Sequence, residues 1–393
     1  MENIINGGFV LNIYTLVLAV LLLAFQENDR RSKSNEAFIK LVLILISLVS
    51  VSALGDFAET MGDRFLFVRK FCTFFVFAAD PFGFLFSLGY STLTFLKKKT
   101  IGQYVKDCAP EAHAKKQGTP TTGGVFIVLA VILASIITLA MAQRLDMEAF
   151  IILLTLLFYT FEGFQDDYLK IKGKTNDGLS AKAKLFRQIA FAMLPIVYLL
   201  INNHSAFDVN IGSHVLHLGW FYPIFAVCVI TGASNAYNLT DGLDGLAAST
   251  GVFAFLACAT ISLYSNSPEA AIISAAVAGA LLGFLKYNKP KAQVFMGDTG
   301  SLALGGLLGT VAVLGKFEIL LVLIAGVFVI ETLSVIIQVA SFKTTGKRVF
   351  KMSPIHHHFE LCNWSEKKIV VVFALVSAIC ALTSVILFFK GIA

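Results

Sequence analysis

Three short polar segments, each set against the end of a long apolar run, hold the residues of this chain best suited to chemistry. They are Asp166-Asp167 in "GFQDDYLKIKGK", Asp241 and Asp244 in "SNAYNLTDGLDG", and Asp298 in "VFMGDTGS". Carboxylates brought together on one membrane face would repel one another, and a divalent cation would relieve that repulsion. Magnesium is usually held this way, by one or two carboxylates with substrate phosphates completing the shell. Each segment also has an ordinary reading. Asp166-Asp167 could be a solvated helix end, "NLTDGLDG" a turn rich in Asn, Asp and Gly, and "MGDTGS" a helix N-cap. Placed on one side of the chain's topology, the three read as a constellation.

Two further segments supply complementary groups. In "KKQGTPTTGG", Lys115 and Lys116 precede Thr119-Pro120-Thr121 just before an apolar run, and amides, hydroxyls and an ammonium at a helix N-terminus can receive a phosphate. The alternative is a basic loop flanking a membrane span. In "SPIHHHFELCNW", His356, His357 and His358 lack zinc-site spacing but can donate hydrogen bonds to a bound phosphate. Glu331, Ser334 and Gln338 share one face of an apolar helix, either as glue between helices or as the wall of a lipid groove; Glu162, one turn before Asp166, has the same two readings.

The elements that position these groups are set by composition. Of 393 residues, 57% are hydrophobic and 14% charged, and the mean hydropathy is +0.78, more apolar surface than a soluble core could hide. Candidate spans fall at 9–25, 38–57, 71–96, 123–142, 148–165, 185–202, 219–236, 246–264, 270–286, 301–315, 319–341 and 369–389. Alternation puts the loops bearing the aspartates, the histidines and about 25 of the 31 Lys and Arg on one face, which the positive-inside rule makes cytoplasmic. The net charge of +6 therefore marks topology rather than nucleic-acid binding. Around Gly212-Ser213, Phe207, Val209 and Ile211 alternate on one side and Leu216 and Leu218 on the other, which predicts a small extracytoplasmic hairpin. The six cysteines have no ligand or disulfide spacing, and the N-terminus lacks the pattern of a cleavable signal.

The order of these motifs, from about residue 85 to the end, resembles the phospho-N-acetylmuramoyl-pentapeptide transferases. The aspartate motifs are common to the wider polyprenyl-phosphate N-acetylhexosamine-1-phosphate transferases, and "SPIHHHFE" points to the muramoyl-pentapeptide branch. The resemblance implies an all-α polytopic membrane protein with a ten-span core (81–393), so that residues 1–80 form a two-span extension of unmatched sequence. It implies transfer of phospho-N-acetylmuramoyl-pentapeptide from UDP to undecaprenyl phosphate at the bacterial inner membrane, with magnesium, membrane lipid and a homodimer. Carried over by position, Asp298 is the magnesium ligand and Asp166 and Asp167 lie near the lipid phosphate. Asn238, Asp241 and Asp244 line the nucleoside side and cleft, with Phe295 beside the uracil. Lys116 and Thr121 lie near the nucleotide, and His356, His357 and His358 near the diphosphate. The 319–341 helix is expected to bend and open a lipid groove. Thr122 departs from the methionine usual there.

Overall fold

The computed structural model describes residues 119–391, apart from 122, 174–176, 203–206, 212–213 and 266. The candidate spans 9–25, 38–57 and 71–96, the extension 1–80 and Lys116 lie outside them. The described chain is helical: α1 (Gly123–Met141), α2 (Met147–Gly173), α3 (Ala181–Asn202), α4 (Tyr222–Thr240), α5 (Leu246–Tyr264), α6 (Pro268–Asn288), α7 (Gly297–Leu314), α8 (Glu318–Ile324), α9 (Gly326–Thr345), α10 (Ile355–Glu360) and α11 (Glu366–Phe389). Eight of these are long and apolar enough to cross a membrane: α1, α2, α3, α5, α6, α7, α9 and α11. The chain is an all-α polytopic membrane protein.

Helix α7 is the axis of the bundle. Every residue from Thr299 to Leu314 is buried, and α7 packs chiefly on α2 and α4, with α1 and α3 completing the ring. Lipid tails are as apolar as leucine, so burial alone does not drive this packing; close approach of small residues does. Gly305, Gly306 and Gly309 face Ala233, Tyr159 and Ile230 of the neighbouring helices at contact distance. The faces of α3, α9 and α11 are the opposite case. They expose Phe186, Ile201, Ile336, Phe342, Ile379 and Leu382, as suits helices bathed in lipid.

Several boundaries differ from the sequence reading; the 185–202 and 301–315 spans begin four residues earlier, at Ala181 and Gly297, which puts Asp298 on helix. Helix α2 does not stop near 165 but continues to Gly173, so Asp166, Asp167 and Lys170 lie on helix. The cause is visible in the pairing: Lys170 reaches back one turn to Asp166 at 2.6 Å. The apolar run 219–236 is helix only from Tyr222, after a 3₁₀ turn at Gly219–Phe221, and runs on to Thr240. The 319–341 run is broken at Ala325 into α8 and α9, as the resemblance implied.

The expected hairpin is present as β1 (Asp208–Ile211) and β2 (His214–His217), antiparallel, with Val209 opposite Leu216. It lies at the end of the bundle opposite the aspartates, where Asn210 donates to the Lys316 carbonyl at 3.4 Å.

Candidate active site

The N-terminus of α7 gathers acids from three segments. Gly297 has φ +71, a conformation that suits glycine, and it turns the chain so that successive amides at the helix start face neighbouring carboxylates. Asp167 accepts from the Asp298 amide at 3.1 Å, the Thr299 amide at 2.9 Å and the Thr299 hydroxyl at 2.6 Å. Asp241 accepts from the Gly297 amide. The positive end of the α7 dipole is therefore taken by the protein's own carboxylates. This was one of the readings open for "MGDTGS", except that the cap comes from another helix.

Asp298 and Asp166 are joined by two lysines that the sequence reading did not single out. Lys170 Nζ lies 2.6 Å from Asp166 and 3.0 Å from Asp298; Lys184 Nζ lies 3.0 Å from Asp166 and 2.9 Å from Asp298. The remaining Asp298 oxygen accepts from Asn238 at 2.9 Å, and the same amide donates to Ser301 at 2.8 Å. Asp166 also accepts from the Leu179 amide at 2.7 Å. One signal for Lys170 was available, its i+4 spacing from Asp166; Lys184 had none beyond its place beside a span.

Charge in this cluster is not balanced. Two ammonium groups face Asp166 and Asp298, while Asp167 and Asp241 add two further carboxyls. At an effective dielectric near 20, like charges ~4 Å apart repel by about 4 kcal/mol. Burial, and then the neighbouring Asp298, Asp167 and Asp244, push the Asp241 carboxyl well above the usual carboxylate range. A cation beside it would reverse that shift. Among the described residues no group of three His, Cys, Asp or Glu side chains is arranged to hold a metal. Magnesium needs fewer protein ligands when phosphates complete its shell, and the all-oxygen set of Asp298 and Asp241 fits such a partial site.

The other expected residues have more local partners. Asp244 accepts from the Lys291 and Ala292 amides at 3.1 and 2.9 Å, and so shapes the loop leading to α7. Phe295 is tied by its backbone to Pro120 at 2.8 Å and Gly123 at 3.0 Å, which seats those two residues beside the start of α7. The Thr121 hydroxyl there is buried with no hydrogen-bond partner among the described residues. His356 is buried against the 241–244 loop, His357 pairs with Glu360 at 2.6 Å, and His358 Nδ1 accepts from the Lys351 amide at 3.1 Å. Through Gly242, the aspartate loop is in direct contact with the His356 ring.

The glycosyl transferase family 4 model matches residues 149–316, a stretch that contains every aspartate and both lysines described above. Over 297 residues the chain is 49% identical to the phospho-N-acetylmuramoyl-pentapeptide-transferase of Bacillus velezensis, covering 74% of this chain and 91% of that protein. It is 49% identical over 296 residues to that of Bacillus subtilis, with 74% and 91% covered. For the protein of that name from Halalkalibacterium halodurans the identity is 48% over 298 residues, with 75% and 91% covered. The chain belongs to the phospho-N-acetylmuramoyl-pentapeptide-transferase family. The family 4 match ends at 316, so the segment carrying His356, His357 and His358 lies beyond what that broader model covers.

Proposed function

We propose that the protein transfers phospho-N-acetylmuramoyl-pentapeptide from its UDP donor to undecaprenyl phosphate, releasing UMP and forming lipid I, on the cytoplasmic face of the bacterial inner membrane. The observation that carries this reading is the meeting of Asp166, Asp167, Asp241 and Asp298 with Lys170 and Lys184 at one end of a membrane bundle. A soluble dianionic nucleotide sugar and a membrane-bound phosphate can both reach such an end.

An acceptor phosphate oxygen attacks the phosphorus bonded to the sugar. The new P–O bond forms as the bond to UMP breaks, and UMP leaves with the electron pair. Barriers of this kind fall through alignment and charge stabilisation more than through covalent help. Lys170 and Lys184 are the groups placed to meet phosphate oxygens; both remain partly exposed, at 31% and 22%. Asp167 fixes the start of α7, and Asn238 fixes the rotamer of Asp298. Magnesium, when bound, would be held by Asp298 with Asp241 and would withdraw charge from the donor diphosphate. Lys116, Thr121 and Phe295 are assigned to the nucleotide side, and Asp244 acts there through the loop it shapes.

Asp166 is assigned to positioning rather than to proton abstraction. Its oxygens are engaged by two ammonium groups and an amide, the surroundings of an anchored anion. The acceptor also needs little deprotonation, since a phosphate monoester has a second pKa near ~6.

The test is UMP release by purified protein given undecaprenyl phosphate and either the muramoyl-pentapeptide nucleotide or UDP-N-acetylglucosamine, with and without EDTA. Release from the first donor alone, abolished by EDTA and restored by magnesium, is expected. Release from the second donor alone would move the protein to a sister activity, and solute flux without UMP would make it a transporter.

A further inference from the structure

Helix α9 carries a buried polar stripe, Glu331, Ser334 and Gln338, on an otherwise apolar sequence. Its partner is a loop. Gln338 accepts from the Val349 and Phe350 amides at 3.0 and 2.9 Å and donates to the Phe350 carbonyl at 2.9 Å. That three-bond clamp fastens the start of the segment leading to the histidines. Two turns along the helix, Glu331 approaches His356, with 3.1 Å between Oε1 and Nδ1 and 3.5 Å between Oε2 and the His356 amide. The side chains are 0% and 1% exposed.

The far side of the imidazole faces the aspartate loop. A β-carbon placed on Gly242 would run into His356 Nε2 and Cε1, so the ring lies directly against the backbone between Asp241 and Asp244. Nε2 is buried there with no hydrogen-bond partner among the described residues. Nδ1 is close to Glu331 but bent away from ideal hydrogen-bond direction. At 3.1 Å, a carboxylate oxygen and a bare ring nitrogen would oppose lone pair to lone pair, so a proton lies between them, and with Glu331 as the carboxylate that proton is on Nδ1. A carboxylate at one ring nitrogen in this way fixes the tautomer and the orientation of the ring.

We propose that Glu331 is a positioning residue for transfer: it holds His356 with Nδ1–H turned toward the carboxylate, so that the lone pair of Nε2 is presented at the aspartate loop as an acceptor for a substrate N–H or O–H. This deepens the transferase reading and rests on it. The sequence left the α9 stripe as glue or groove wall; its contacts make it the mount of the histidine segment.

The test combines a double-mutant cycle with a direct look at the ring. Glu331→Gln is expected to lower kcat roughly tenfold or more, with the KM for each substrate within about twofold, as for loss of an orienting partner. In a His356→Ala background, the same substitution should cost nothing further. NMR of isotope-labelled histidines, with His356→Ala identifying the resonance, should show the Nδ1-protonated tautomer in the unsubstituted protein. Glu331→Asp, which keeps the carboxylate, should recover part of the rate. Full turnover in Glu331→Gln, or an equal loss in both backgrounds, would overturn the proposal. Should Glu331→Gln fail to fold, an Nε2-protonated His356 in the unsubstituted protein overturns it on its own. A protein that releases no UMP from either donor removes the transferase reading instead, and the NMR result still decides whether Glu331 sets the ring.

Discussion

At its C-terminal end α7 runs into Lys316, whose ammonium sits 3.9 Å over the Tyr222 ring and 3.5 Å from Glu318; Glu318 in turn accepts from the Tyr222 hydroxyl at 2.5 Å. At its N-terminal end the same residue types form the cluster of Lys170 and Lys184 with Asp166 and Asp298. The first group pairs a lysine with a carboxylate under an aromatic cover, with Lys316 only 12% exposed. The second has more acids than bases, shares each lysine between two carboxylates and leaves both lysines open to the outside. A closed pair holds a turn together; an open, overcharged one invites a cation and a phosphate. That difference, more than residue type, supports the proposed assignment of the N-terminal cluster to transfer.

Asp298 is where the comparison breaks first if it is wrong. Asp298→Asn should lower turnover by about a thousandfold or more while the protein still elutes as a folded species, because it removes the carboxylate shared by both lysines. Ordinary turnover for this variant at ordinary magnesium would end its assignment. Next in size is Lys184→Met, with an expected kcat loss of about 10- to 100-fold. That variant also removes one of the two ammonium groups on the same Asp298 oxygen, so the magnesium concentration for half-maximal rate should fall even as the rate falls. A higher magnesium requirement would mean that the lysine and the cation do not compete for that carboxylate.

Much of this arrangement was legible in the sequence, for reasons that also explain what was not. Spans are dictated by the lipid's demand for about 20 apolar residues, so those at 123–142, 246–264 and 369–389 nearly coincide with α1, α5 and α11. The acids stood out because carboxylates in three separate loops fall on the face that topology makes rich in Lys and Arg. Lys184 did not, because a lysine beside a span is expected for topology alone, and only the crossing of α2, α3 and α7 sets it against Asp298. The role of Asp167 was hidden for a similar reason: a cap supplied from a different helix has no spacing to read. The break at Ala325 leaves little trace in an evenly apolar run, and there the family resemblance supplied what periodicity did not.

Gly242→Ala tests the border between the two kinds of region, since Gly242 lies in the aspartate loop but touches the closed Glu331–His356 pair. The added methyl must displace the imidazole. A kcat loss of about tenfold is expected, with little change in thermal midpoint, and it should shrink in a His356→Ala background. A loss unaffected by that background would place the damage in the loop itself.

The smallest effect belongs to the closed pair, and it should appear in stability alone. Burial holds the Lys316 ammonium below its ordinary range, against the opposing pull of Glu318. A lysine depressed in the fold binds fewer protons folded than unfolded between its lowered value and its ordinary 10.5, so its contribution to stability rises with pH across that window. Removing the ammonium alone would strand Glu318, which is buried, so the informative variant is Lys316→Met with Glu318→Gln. Such paired replacements of buried ion pairs are often close to neutral, within about 1–3 kcal/mol of the parent in either direction. Turnover should match the parent, and the alkaline rise in thermal midpoint should flatten. A turnover loss comparable to that of Lys184→Met would mean that the two ends of α7 are coupled.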